Sequence, residues 1–286
     1  MMSESWLMWA AVLLYAAATV LFVLGVVFKA QKILLGAIIA LGIGLIPQTI
    51  AMIIRWIAVG HGPYLGFYES VSTFVWLGVV ALLLVVLYRR SLSVAGAIVA
   101  PLALVMLGAA MFAPKSPLEI TPSLASVWLT VHVIFAQLSY SALLISFALG
   151  IIYLIRERKQ SGKEGEAPTE KKSLLAKLPK QIVLDNLIFR LVAVGFILWT
   201  IMMVTGAIWA NQAWGRYWGW DAIETWSLIT WLVYAVVLHL RLTMGFRGKK
   251  FAWCAVIAMP VMLFSLIGVP ILYNSIHSAY LNFGTK

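Results

Sequence analysis

Cysteine is almost missing from this chain: Cys254 is the single one in 286 residues. It stands in an apolar stretch, so the sequence offers no C-x-x-C redox pair, no cysteine-based zinc set and no internal disulfide. Charge is scarce too, with Asp, Glu, Lys and Arg together at 11%. There is no phosphate-binding G-x-x-x-x-G-K-[ST] loop, no G-x-G-x-x-G opening a helix and no G-x-S-x-G. Nucleotide hydrolysis and serine chemistry therefore have no support. Internal repeats of the transporter type are also lacking.

What fills the chain instead is apolar sequence, 63% of all residues. Several runs are long enough to span about 30 Å of hydrocarbon, which predicts an all-α, polytopic membrane helix bundle. Eight helices are expected, near 6–28, 33–57, 71–88, 92–113, 126–155, 184–210, 226–241 and 251–272. The first lacks a basic leading region and a small-residue cleavage site, so it reads as a retained helix. Of the 21 Lys and Arg residues, 17 fall on one side of such a bundle and four on the other: Arg55, Lys115, Arg216 and Lys286. The positive-inside rule makes the rich side cytoplasmic and both termini external. The net charge of +11 follows from these anchors, and nucleic-acid binding is a poor reading of it. Three units result: helices one to five in 1–155, a polar cytoplasmic linker over 156–183, and the last three helices in 184–286.

The densest feature lies between helices six and seven. Residues 206–226 read GAIWANQAWGRYWGWDAIETW and hold Trp209, Trp214, Trp218, Trp220 and Trp226, with Trp231 just beyond. Interfacial belts gather tryptophan, but usually without glycines and charges among them. Such a cluster provides a broad, rigid π surface with a polar rim, suited to a large, flat, partly anionic ligand, heme above all. Arg216 is placed to pair with a propionate, or equally with Asp221 or Glu224. Those two acids, at i and i+3, also read as caps of helix seven, and Glu69 as a cap of helix three.

Four histidines occur: His61, His132, His239 and His277. His132 lies one to two turns below the outer end of helix five, and His277 follows helix eight on the same side. Both reach the tryptophan segment, and two opposed imidazoles would give a six-coordinate heme iron. His239 is 13 residues beyond Trp226 on one helix, roughly 20 Å away, so it belongs to the inner end. A packing role remains the plain alternative for each, and for His239 a favourable place at a helix C-terminus.

The stretch Trp214-Gly215-Arg216-Tyr217-Trp218-Gly219-Trp220-Asp221 resembles the W-G-x-x-W-x-W-D signature of membrane proteins that handle heme in cytochrome c maturation. Glu224-Thr225-Trp226-Ser227-Leu228-Ile229-Thr230-Trp231 is similar to the CcsA (ResC) branch rather than CcmC or CcmF. Trp128-Leu129-Thr130-Val131-His132, Leu238-His239-Leu240-Arg241, His277-Ser278-Ala279-Tyr280 and Phe67-Tyr68-Glu69-Ser70 resemble further elements of that family, from about residue 60 onward. Two departures stand out. Ala222 replaces an expected proline and relaxes the predicted start of helix seven, and Ala279 is inserted between Ser278 and Tyr280.

The resemblance implies the heme-handling subunit of the system II cytochrome c synthase, working with a ResB (CcsB) partner on apocytochrome c. Heme b is the implied cofactor. His132 and His277 are the implied external iron ligands, and His239 is an internal site shared with a partner-supplied histidine. Trp209, Trp214, Gly215, Arg216, Trp218, Trp220, Asp221, Glu224 and Trp226 form the implied platform. A bacterial inner membrane is expected ahead of a thylakoid. The rival readings are a membrane transporter without ligation activity, a b-type electron carrier, and a lyase that loads a chaperone.

Overall fold

The computed structural model describes residues 2–116, 121–161, 178–273 and 275–277. Among them, eight helices are long and apolar enough to cross a membrane, and no strand occurs. They are α1 (Met2–Val27), α2 (Gln31–Val59), α3 (Gly66–Tyr88), α4 (Gly96–Met111), α5 (Val127–Ser161), α6 (Gln181–Trp214), α7 (Ala222–Leu242) and α8 (Lys249–Leu263). A 3₁₀ segment, Arg90–Ala95, leads into α4. A widened π turn, Phe264–Gly268, and a last turn, Val269–Leu272, continue α8. The π turn is next to Pro270, whose ring cannot sit over the carbonyl one turn back. The expected all-α membrane bundle is the fold found.

α1 packs on α2 and α4, α3 on α4 and α5, and α5 on α6 and α8, with α7 leaning on α6 and α8. Large side chains fill the middle, among them Phe22, Phe74, Leu107, Leu143, Trp199, Tyr234 and Phe251. α7 is the least covered span. The alternation of the chain brings the start of α5, the end of α6, the start of α7 and the segment after α8 to one end of the bundle.

Ionic clusters lock both ends. At the end shared by the site, Arg55 of α2 donates to Glu69 of α3 (2.8 Å) and to the Lys115 carbonyl (2.8 Å). Tyr68 donates to Glu4 of α1 at 3.0 Å. Glu69 also accepts from the Leu65 backbone N–H at 3.0 Å, so the expected capping role holds, with an ion pair to α2 added. At the opposite end Arg241 of α7 makes a two-pronged pair with Asp185 of α6, at 2.9 and 2.7 Å. The same carboxylate accepts from the Gly248 N–H at 2.8 Å, while the guanidinium lies over Phe189 and Phe251. Three helices thus meet at one buried carboxylate.

Several expected boundaries move. α6 runs four residues past the predicted end and α7 starts four residues earlier than predicted. Ala210-Asn211-Gln212-Ala213 holds nothing that stops a helix, whereas Gly215 at φ 72° does. α5 reaches Ser161 and α6 opens at Gln181, so only 162–177 of the expected linker falls outside the described residues. The predicted relaxation at Ala222 is not found: Asp221 and Glu224 form a complete capping box there. Ser278, Ala279 and Tyr280 lie outside the described residues.

Removing one partner of a buried pair strands the other charge, at a cost of about 3–5 kcal/mol. Asp185→Ala is expected to lower the thermal unfolding midpoint of the detergent-solubilised protein sharply. Arg241→Ala is expected to do the same, and the double variant to lose less than the sum of the two.

Candidate functional site

His132 sits in the second turn of α5 and faces α6. The residue opposite it is Gly206, and the fit depends on that: a Cβ there would stand 2.5 Å from the imidazole Nδ1. Nδ1 lies 2.8 Å from the Met202 carbonyl, a distance at which it donates. That fixes the tautomer and leaves Nε2 as the ring's free lone pair.

His277 is fixed in the same manner by a different group. Its Nδ1 is 3.0 Å from Asp221 Oδ2, again leaving Nε2 outward. Asp221 caps α7 through the Ile223 N–H (3.3 Å) and also accepts from the Ser275 hydroxyl (2.5 Å) and the Ile276 N–H (3.3 Å). Partial burial works to raise the pKa of its carboxyl, but the hydrogen bonds from His277 and Ser275 outweigh it. The net result lies well below the ordinary 3.8. The stabilising contribution of this carboxylate is therefore complete at neutral pH and is lost only as pH falls below about 4. Glu224 closes the other half of the box, accepting from Gly219 N–H (2.7 Å) and Asp221 N–H (3.2 Å). Between those two donors Trp220 is forced to φ 57°, a strained state for a bulky residue.

Trp209 joins the two histidines. Its ring stacks on His132 (centroids 6.5 Å apart, 27° between planes) and lies 5.8 Å from His277. Trp214 meets His277 edge-on at 4.9 Å. Trp209 is buried and its indole N–H donates to the Ser123 carbonyl at 2.8 Å, which a lipid-facing belt would not require. Two cavities, of about 160 and 110 Å³, flank this group, and His132, Tyr140, Trp209, Ile223, Ser227 and His277 line both.

Not every predicted residue converges. Trp218 does: it lines the smaller cavity, and its Nε1 is buried without a hydrogen-bond partner. Trp220 and Tyr217 are exposed beside it. Trp226 turns instead to Phe264 in the π turn, at 4.6 Å. Gly215 serves as the helix stop, and Arg216 is exposed, folded over Gly219. The sequence left open an ion pair of Arg216 with Asp221 or Glu224, and none forms among the described residues. His239 is exposed at the other end of α7, its Nδ1 3.3 Å from the Thr243 hydroxyl. The tryptophan-rich segment 206–226 is less of a loop than expected: α6 carries Trp209 and runs on past the predicted end at 210 to Trp214, and the loop itself is 215–221. Gly206, Ser275 and the Met202 and Ser123 carbonyls were missed. Only Ser275, two residues before His277, left a readable signal.

Heme can be tested against this geometry. Two imidazoles with oriented Nδ1 and free Nε2 suit iron, and the unpaired Trp218 N–H suits a carboxylate. Each cavity is below the ~300–1,000 Å³ usual for a ligand pocket, so seating a porphyrin requires the walls to part. Outside the helices the lining is Tyr64, Leu65, Leu124, Tyr217, Trp218 and His277. The donor set fits.

Residues 64–277 match the family described as Cytochrome C assembly protein. This chain belongs to that family. Relatives named cytochrome c biogenesis protein CcsA place it in the CcsA branch. One from Guillardia theta is 36% identical over 243 residues, covering 80% of each chain. One from Synechococcus sp. (strain CC9605) is 36% identical and covers 80% of this chain and 82% of that one. One from Chlamydomonas reinhardtii is 36% identical and covers 84% and 67%. Among solved structures, the cytochrome c heme lyase CcmF shares the fold, with a TM-score of 0.71 over 96% of this chain at 16% identity. This chain spans 47% of that protein. The family match begins only at Tyr64, so α1 and α2 lie outside it, held to α3 by Arg55 and Glu4.

Gly206→Ala is expected to push the His132 ring off the Met202 carbonyl and cost about 1–3 kcal/mol. Thermal unfolding checks the stability. The His132 ring proton resonances, which report the tautomer, check the displacement.

Proposed function

We propose that this protein is the heme-handling subunit of a system II cytochrome c synthase. It presents heme b at an external, tryptophan-lined platform for thioether attachment to an apocytochrome C-x-x-C-H segment. The observation that carries this reading is the pair of imidazoles on one cavity wall, each with Nδ1 committed to a protein acceptor and Nε2 free. Membership of the cytochrome c assembly family supports the reaction class.

In this reading His132 and His277 hold the iron from opposite elements, α5 and the segment after α8. Trp209 and Trp214 wall the ring, and Trp218 Nε1 with Arg216 provides donors for its carboxylates. Gly215 turns the chain into the loop, the Glu224 carboxylate fixes the backbone around Trp220, and Trp226 props α7 against the π turn. Heme bound there would supply two vinyl groups as the acceptors for S–H addition by the substrate's thiols, and the residues of this chain would hold and orient it. The scarcity of cysteine accords with thiols that come from the substrate. In this reading the rate comes mainly from positioning the vinyl carbons near the thiols. Neutral imidazole ligation also governs the iron's redox state.

His239, exposed on the barely covered α7, forms the internal heme site together with a histidine from a ResB/CcsB-type membrane partner. An ionisable group at a helix face in the membrane is a functional residue by default. The protein is a multi-pass membrane protein, and we place it in a bacterial inner membrane ahead of a thylakoid, with both termini outside. The functional division follows: 1–155 brings His132, 156–183 is the cytoplasmic linker, and 184–286 brings the platform and His277.

The test is covalent heme on a co-expressed C-x-x-C-H apocytochrome, made with the ResB-type partner and read by heme staining of denaturing gels. His132→Ala and His277→Ala are each expected to reduce the yield at least about tenfold, as losing more than ~1.4 kcal/mol of ligation implies, and imidazole in the medium to restore part of it. Undiminished yield in the double variant would overturn the proposal.

A further inference from the structure

A third cavity, of about 730 Å³, lies beside the histidine site in a groove between the end of α2 and the first turns of α3 and α5. Tyr64, Leu65, Leu124, Val133 and Gln137 line both this groove and the 160 Å³ cavity, so the two share a wall. Val127 and Leu138 of α5 both line it, which gives a depth of about 16 Å along the helix. That is roughly half of the ~30 Å hydrocarbon layer.

Two side chains leave a buried polar atom without a partner here. Gln137 is 3% exposed, and its Nε2 donates to the Ser70 carbonyl at 3.1 Å. That settles which end of the amide is which, and Oε1 is left unpaired. His61 is 6% exposed, with Nδ1 2.8 Å from the Gly62 carbonyl, so Nδ1 carries the ring proton. Its Nε2 is unpaired, and in the neutral ring it is an acceptor like Gln137 Oε1. A stranded acceptor costs about 1–3 kcal/mol, and hydrocarbon supplies no donor.

The groove also excludes some ligands. No Lys or Arg lines it, and the Glu69 carboxylate stands 3.7 Å from His61 Nδ1. An anionic head, whether phosphate or propionate, finds no Lys or Arg in the lining to pair with. Trp56, Leu77, Ile134 and Leu138 make an apolar stretch of the wall, and the hydroxyls of Thr73, Ser126 and Thr130 are already donated to Pro63 O, Gln212 Oε1 and the Tyr64 hydroxyl. What is missing is a neutral hydrogen-bond donor on an apolar body.

We propose that this groove binds a neutral, hydroxyl-headed membrane lipid, its O–H groups donating to His61 Nε2 and Gln137 Oε1 and its chain lying along Leu77, Ile134 and Leu138. The site is independent of heme at the neighbouring cavity. The test is photolabelling of the full-length protein in detergent with a long-chain alcohol carrying an alkyl diazirine, mapped by peptide mass spectrometry. Matched probes carry a methyl ether or a phosphate ester in place of the hydroxyl. The alcohol is expected to label 56–65 and 124–138 at least about fivefold more than the ether, the scale of one lost hydrogen bond. His61→Phe and Gln137→Leu are expected to bring it down to the ether's level, with unchanged size-exclusion profiles confirming that both fold. Displacement by an alkylated dihydroxybenzene assigns an aromatic diol head, and displacement by dioleoylglycerol assigns a glyceride alcohol. Equal labelling by alcohol and ether, strongest labelling by the phosphate ester, or no displacement by either competitor would overturn the proposal. The wild-type comparison of probes stands even if a variant misfolds.

Discussion

One carboxylate, Asp221, joins the start of α7 to the segment that follows α8. It caps α7, accepts from Ser275 and Ile276, and holds the His277 ring by Nδ1. Without it the helix start loses its cap, the segment after α8 loses its anchor and His277 loses its orientation, all at once. A carboxylate behind an imidazole is the usual way to aim the far nitrogen at a metal and to raise its basicity. His132 receives a weaker version from the Met202 carbonyl. The two candidate ligands therefore line the same cavities with unequal support.

Buried ion pairs tie the bundle at both ends. Arg55, Glu69, Glu4 and Tyr68 tie α1, α2 and α3 together at the end shared by the site. Asp185 and Arg241 tie α6, α7 and α8 at the other end. Both clusters sit where unpaired charge in hydrocarbon would be costly. The cavities at the histidines are small as they stand, and His277 is one of several lining residues outside the helices, with Tyr217 and Trp218 of the loop before α7. The two neighbouring spaces also differ in polarity. The histidine cavities present an indole N–H donor from Trp218, and the groove behind Gln137 presents acceptors.

Much of this was legible in the sequence. Apolar runs of membrane length gave eight spans, because hydrocarbon leaves no alternative to a helix for a single chain segment of that kind. The tryptophans, glycines and acids at 206–226 marked the site, and the depths of His132 and His277 placed them together. Less visible was where α6 ends, since a Trp-Ala-Asn-Gln-Ala-Trp stretch suits helix and loop alike and only Gly215 decides. Asp221 was read as a cap, but its second task depends on Ser275 and His277, more than 50 residues away, and no local pattern carries that. The same is true of Gly206, whose lack of a side chain matters only because His132 packs against it from another helix. Glu69 likewise keeps its cap, and the ion pair it adds comes from Arg55 on another helix, which no local pattern carries.

The central claim is that His132 and His277 hold one heme iron, and the visible spectrum of the protein purified with its ResB-type partner tests it most directly. The account predicts reduced low-spin bands in the wild type that collapse in the His132→Ala/His277→Ala double variant. Bands that survive in that variant would move the iron elsewhere, to His239 first, and would contradict the account.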